Sequence, residues 1–273
     1  MDYFNDACGE RPCSLAWSID CTREKRVGAF KIVRGICYIS LIHTRLCKMR
    51  TLSPPNMQHP HVKAFFTTKV EGDGVKQGWE GIGVAKSDVY LPVQKHTDTV
   101  ILLESHRESE IADAVITQKK GLLIGVQVAD CVPLLLFDGR RSVVGAVHAG
   151  WRGTAAQITR KAVERMIAWF DCRPEDVRVA LGPSIKRECY EVGPEVKEAI
   201  CDVMGEGDYC VPVNGKFHID LPAVNVLQAM SAGVRRENIW VSEVCTHCNP
   251  ADFHSYRYHG DHCGRQGGFI GVF

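Results

Sequence analysis

Apolar positions in this chain recur mostly in short runs of strand length. Residues 62–70, 89–93, 100–104, 113–117, 122–128, 132–138, 142–148, 177–181 and 239–244 are rich in β-branched, aromatic and leucine side chains and are bounded by turn residues. Helical spacing is rarer. It is clear over 154–170, where Ile158, Ala162, Met166 and Phe170 share one face, over 194–204, which opens on Pro194, and over 222–232, which ends at Gly233. Asn214-Gly215 inside 211–221 is a two-residue hairpin signal, and a closing strand follows Gly264-Arg265-Gln266. Strands outnumber helices and the two kinds alternate without a βαβ rhythm, which predicts an α+β fold with mixed sheets.

The densest information lies in one hairpin. The runs 132–138 and 142–148 flank Asp138-Gly139-Arg140-Arg141, which is turn chemistry. A hairpin centred near position 140 pairs residues whose numbers sum to about 280, which sets Cys131 opposite Ala149 or His148. Opposed Cβ atoms lie about 5 Å apart and diagonal ones about 7–8 Å, so a thiol and an imidazole meet at one sheet edge. Thr154-Ala155-Ala156-Gln157 fits a capping box for the following helix. Gly150 and Gly153 permit close backbone approach, and the helix start beside Arg152 offers N–H groups to an anion.

Composition narrows the class. The 273 residues carry a net charge of +1 with 24% charged side chains, which gives no basic stripe for nucleic acid. Thirteen cysteines, an odd and scattered set with no secretory signal ahead of them, read as reduced thiols of a cytoplasmic protein. The apolar run 35–42 is far short of the roughly 20 residues that span a bilayer. Residues 1–56 hold five of the cysteines, show no sustained periodicity and end in Ser53-Pro54-Pro55-Asn56. They read as a poorly ordered or spurious N-terminal extension, with a short hairpin or helix at 27–47 as the alternative. Residues 57–273 read as the folded domain, and Met49 and Met57 are both plausible starts.

Two chemistries use a cysteine and histidine so placed: a Zn²⁺ site with three protein ligands and a water, or a Cys–His nucleophile pair. A third ligand separates them, and His96, between polar residues at a strand border, is the upstream candidate. Cys245 and Cys248 form a C-x-x-C, half of a zinc knuckle or a redox pair, with no second C-x-x-C to complete a four-cysteine site. His247, His254, His259, His262 and Cys263 could complete a second metal site or form a histidine-rich surface loop. Lys69, Arg152, Arg257 and Arg265 are candidate anion binders, of which Arg152 alone has a positional argument. Trp151 and Tyr190 could stack on a base or serve as rim aromatics.

Gln94-Lys95-His96, Ala129-Asp130-Cys131-Val132-Pro133, His148-Ala149-Gly150-Trp151-Arg152-Gly153, Leu181-Gly182-Pro183-Ser184-Ile185, Cys189-Tyr190-Glu191-Val192-Gly193, Cys245-Thr246, Phe253-His254-Ser255-Tyr256-Arg257 and Gly264-Arg265-Gln266 stand in the order of a known family. Over roughly 62–273 the chain resembles the YfiH-type family, long labelled laccase-domain or multicopper polyphenol oxidase proteins and read as purine nucleoside phosphorylases. The resemblance implies a single domain of layered α/β/β/α architecture. It also implies a metal site of His96, Cys131 and His148, with Zn²⁺ as the ion and Cu²⁺ as the alternative, those residues also being catalytic. The implied reactions are phosphorolysis of adenosine, inosine, guanosine and methylthioadenosine, and deamination of adenosine. Purine nucleosides and phosphate would be the partners of a monomer or homodimer that binds neither nucleic acid nor membrane. The family's Gln-Val-His-Gly stands here as Gln94-Lys95-His96-Thr97, Lys69 replaces a common arginine, and the segment from Thr68 to Gln94 is short. A peptidoglycan-precursor editing amidase and a metal-free Cys–His hydrolase are the competing readings. The lack of paired His-x-His motifs argues against a true laccase.

Overall fold

The computed structural model describes residues 51–69, 83–105 and 108–273. The end of the expected strand run 62–70 and everything proposed for 1–50 lie outside these residues. The described fold begins ahead of the boundary expected at 56/57. Strand β1 (Thr51–Leu52) pairs antiparallel with β2 (Val62–Thr67), and the Asn56 amide donates to the Val179 and Asn238 carbonyls, both at 2.9 Å. Met57 is buried.

Fourteen strands form three sheets among the described residues. The first runs β1-β2-β14-β6-β3, where β3 is Val89–Tyr90, β6 is Leu123–Val128 and β14 is Gln266–Val272. The second runs β13-β9-β7-β8-β5-β4, with β4 Val100–Leu102, β5 Ala114–Thr117, β7 Val132–Asp138, β8 Val143–Ala149, β9 Val177–Leu181 and β13 Ile239–Val241. A small third sheet joins β10 (Glu191–Val192), β12 (Lys216–Ile219) and β11 (Cys210–Val213). Both large sheets mix parallel and antiparallel neighbours, as β3–β6 and β4–β5 are parallel and the hairpins are not.

Alternation along β7 and β8 explains the layering. Leu134, Leu136, Val143 and Val147 point to one face, where they meet Ile158, Ala162, Val163 and Met166 of a helix. Leu135, Phe137, Val144 and Ala146 point to the other face, against Phe66, Ile124, Val126 and Ile270 of the first sheet. A strand buried on both faces must be largely apolar, and β7 and β8 are, apart from Asp138 and His148 near one end of each. On the far side of the first sheet, Phe65, Leu123 and Phe269 pack with Val84.

Among the described residues the helices are α1 (Trp151–Ala155), α2 (Ile158–Phe170), α3 (Pro194–Met204), α4 (Leu221–Ser231) and a short α5 (Tyr256–His259). Helix α3 matches the expected range, and α4 is capped by Asp220, whose carboxylate accepts from the Ala223 N–H. The hairpin β11–β12 turns on Asn214 and Gly215, both at positive φ (51° and 79°), as a type I′ turn requires.

The capping box expected at 154–157 is corrected. Thr154 lies inside α1, fully buried, and its hydroxyl accepts from the Asn225 side chain at 3.0 Å. The helix then breaks at Gln157, which has φ 60° and no side-chain cap, and restarts at Ile158. Tertiary hydrogen bonding from α4 took the hydroxyl that a cap would have used. Thr154 therefore offers no phosphate cradle.

Candidate active site

The hairpin delivers two of the expected donors. Its loop, Gly139–Ser142, is closed by Asp138, whose Oδ1 accepts the N–H groups of Arg140 (2.8 Å) and Arg141 (2.9 Å), and Ser142 takes φ 56°. Pairing follows Val132↔Ala149 and Pro133↔His148, so each residue's partner is one position further on than a centre at 140 gives. His148 thus faces Pro133, and Cys131, two residues before Pro133 and just outside β7, is its diagonal neighbour on the same side. Continuing that register, Gly150 faces Cys131. A Cβ built on Gly150 would sit 3.0 Å from the Cys131 sulfur and 2.9 Å from the His96 ring, so only glycine leaves room for this arrangement.

His96 arrives on a loop held by side chains. Gln94 behaves as an extra strand partner for β6: its amide donates to the Gln127 carbonyl and accepts the Gln127 N–H, both at 2.8 Å. Asp113, fully buried just before β5, gathers the rest. Its carboxylate accepts the backbone N–H of Lys95 (3.2 Å), His96 (3.0 Å) and Thr97 (2.6 Å), and the Thr97 hydroxyl (2.7 Å). The same carboxylate accepts from His148 Nδ1 at 2.7 Å. One buried acid therefore positions both histidines. His96 itself sits at φ 58°. The departure from the family's glycine at Thr97 adds a hydroxyl bond to Asp113.

Asp113 was not recognisable as a site residue in the sequence, where it reads only as the first residue of a strand. The signal available was an acid at the head of an otherwise apolar run, a position that demands a partner when buried. Burial pushes the Asp113 carboxyl up, but hydrogen bonds from His148 and Thr97 outweigh it and hold it at about 2.

The donor atoms of His96, Cys131 and His148 all lie within 4.8 Å of one another, and Cys131 Sγ is 3.9 Å from His96 Nε2. The two imidazoles meet edge to face at 4.8 Å. With Nδ1 committed to Asp113, His148 presents Nε2 to the cluster, the orientation that a carboxylate–histidine pair gives a metal ligand. Burial alone would raise the Cys131 thiol, yet His148 and then His96 draw it down to about 6. Burial likewise opposes charge on His148, and the Cys131 thiolate and Asp113 carboxylate raise its pKa instead. Two imidazoles and a thiolate so grouped can hold a metal ion.

The trio opens on a cavity of about 630 Å³, within the usual range for small-molecule sites. Arg152, Arg257 and Arg265 line it. Arg152 stacks its guanidinium 4.3 Å from the Trp151 ring, which leaves its N–H edge for an anion. Arg257 is anchored by its own backbone N–H to Asp130 Oδ2 (2.7 Å) and by its guanidinium to the Glu191 carbonyl (2.9 Å). Arg265 donates to the carbonyls of Cys263 and Gly264. Lys69 is directed elsewhere, to the Pro250 carbonyl (3.2 Å) and His259 (3.3 Å). Trp151 and Tyr190 form part of the wall. His254 has no part in either metal-capable cluster; burial, then Lys69, His259 and Arg265, lower its pKa to about 4.

Comparison with known proteins agrees with this architecture. A family model described as multi-copper polyphenol oxidoreductase laccase matches residues 75–273. An adenosine deaminase RL5 from an unknown prokaryotic organism is 37% identical over 209 residues, covering 70% of this chain and 77% of that protein. A purine nucleoside phosphorylase of Deinococcus radiodurans is 40% identical over 160 residues, covering 59% of this chain and 61% of the relative's length. The crystal structure of YlmD from Geobacillus stearothermophilus superposes with a TM-score of 0.73 at 27% identity, over 80% of this chain and 93% of that one. Among the described residues no helix is long and apolar enough to cross a membrane. The chain belongs to the laccase-like multi-copper polyphenol oxidoreductase family.

Proposed function

We propose that this chain is a purine nucleoside phosphorylase that also deaminates adenosine, working at the cavity of His96, Cys131 and His148. The observation that carries the reading is the convergence of that donor trio with three arginines on one cavity of nucleoside size. Relatives named for these two reactions share 37–40% of the aligned residues.

The donor set fits a metal. Three protein ligands with room for a fourth are typical of catalytic zinc, and a single trio of this kind suits Zn²⁺ better than a multicopper centre. When bound, such an ion supplies Lewis-acid chemistry and makes an attacking water acidic near neutral pH. The chain's own residues do the rest. Asp113 keeps the proton of His148 on Nδ1 and so leaves Nε2 free as a donor. Arg152, with Arg257 and Arg265, would hold phosphate as its oxygen forms the new bond to C1′ of the ribose while the bond from C1′ to the purine nitrogen breaks. The base leaves with the electron pair and takes up a proton, and ribose-1-phosphate remains on the arginines. Trp151 and Tyr190 offer aromatic surface to the purine.

A second reading has a specific observation behind it. The lowered Cys131 thiol beside a His148 of raised pKa is the ion pair that a metal-free Cys–His hydrolase uses. Iodoacetamide separates the two, because a metal-bound thiolate is protected. The decisive experiment measures release of base and ribose-1-phosphate from a nucleoside panel, with metal content determined on the same sample. Cys131→Ala should lose metal and turnover together; full activity in that variant overturns the proposal.

A further inference from the structure

Away from the cavity trio, a second group of donors converges. The sulfur atoms of Cys189, Cys245 and Cys248 all lie within 4.8 Å of one another, and Cys189 Sγ stands 3.2 Å from Cys248 Sγ. They come from two distant stretches. Cys189 ends the 3-10 turn Arg187–Cys189, beyond the loop that leaves β9, and Cys245 and Cys248 form the C-x-x-C turn beyond β13.

Backbone pairing holds the two stretches together. Ser184 and Cys245 form a parallel bridge, the Thr246 N–H donates to the Ser184 carbonyl at 3.1 Å, and the Asn249 side chain donates to the Cys245 carbonyl at 2.8 Å.

We infer that Cys189, Cys245 and Cys248 form a second metal site, which takes a thiophilic divalent ion of the Zn²⁺ kind. Tetrahedral zinc with Zn–S bonds of about 2.3 Å separates its sulfurs by about 3.8 Å, inside the span of this trio. Loading releases the thiol protons to solvent. Cys248 is exposed, so the fourth position faces water. The ion would staple the C-x-x-C turn to the segment carrying Tyr190. That segment also touches the cavity through Arg257, whose guanidinium reaches the Cys189 and Glu191 carbonyls, while Thr246 bonds Asp130 Oδ1 at 2.6 Å next to Cys131. The site is therefore a structural support for one cavity wall and does not depend on what the cavity catalyses.

The test uses the full chain, reduced and stripped of metal, then titrated with Zn²⁺ and with Co²⁺ as an optical probe. Cys131→Ala disables the cavity trio and leaves the second site intact. That variant should bind one more equivalent than Cys131→Ala/Cys248→Ser, and only it should show the sulfur-to-cobalt band of this site. Cys131→Ala/Cys189→Ser should lose the same equivalent and guards against a folding defect in either serine variant. Equal binding by Cys131→Ala and both double variants overturns the inference. So does a Cys189–Cys248 disulfide found by mass spectrometry in the protein as isolated, before reduction. Failure of the cavity reading would appear separately, as unchanged turnover in Cys131→Ala.

Discussion

The two arms of the cavity trio are built by different means. Cys131 and His148 belong to a hairpin whose ladder of main-chain bonds sets their separation, so their placement follows from register. His96 belongs to a loop with no such ladder, and its placement depends on two side chains, Asp113 and Gln94. A register is fixed by many weak bonds and tolerates the loss of one. A loop pinned by two side chains does not. The difference locates the vulnerable half of the site in the side chains that hold the His96 loop.

The sharpest way to break this contrast is Asp113→Ala. It strands three backbone N–H groups, the Thr97 hydroxyl and His148 Nδ1, and should cost about 3–5 kcal/mol in urea unfolding, as loss of one partner from a buried charged network does. Asp113 also ties stability to pH. Its folded pKa of about 2 lies below its ordinary value of 3.8, so its contribution is fully present above pH 4 and is lost as pH falls toward 2. That contribution is roughly 2 kcal/mol. Unfolding curves of the parent protein and Asp113→Asn should converge across that interval; a gap that stays constant would show that the carboxylate's charge is not what is used.

Gly150→Ala presses on both arms at once, because its new methyl meets the His96 ring and the Cys131 sulfur. It should cost about 1–3 kcal/mol of stability through overpacking. Zn²⁺ affinity should fall roughly 10–100-fold, as when metal ligands lose their orientation, measured by competition with a chelating dye. Gln94→Ala removes two bonds from the loop arm only and should cost roughly 1–2 kcal/mol. Its effect on metal affinity should exceed that of any single substitution at the hairpin tip. Smallest of all, Arg140→Ala removes an exposed pair with Asp176 and should change stability by less than about 0.5 kcal/mol. A large effect there would mean that the hairpin arm also hangs on side chains.

Much of the scaffold was legible because its signals are local. Apolar runs of strand length and turn chemistry located β7 and β8, Asn214-Gly215 located its hairpin, and Pro194 marked the start of α3. The hairpin register came out one residue from the observed one, since the loop is closed by the Asp138 carboxylate and not centred on Arg140. Thr154 misled for a related reason: a capping box is a local rule, and Asn225, 71 residues away, claimed the hydroxyl. His96 was singled out by its polar strand-border position and then by the family's Gln-x-His pattern, while the loop's anchoring by Asp113 was not legible at all, because a buried acid declares itself only through its partners.

By itself, then, the sequence determined where most strands and the longer helices form and that Cys131 lies near His148 where the β7–β8 hairpin ends, since backbone geometry acts over a few residues. Tertiary structure alone decided that Asp113 orients both histidines, that Gly150 leaves space for the donors, and that Cys189 joins Cys245 and Cys248. Each of these is a contact across the chain between groups whose individual chemistry is ordinary. Only folding, by excluding water around them, makes their exact partners matter.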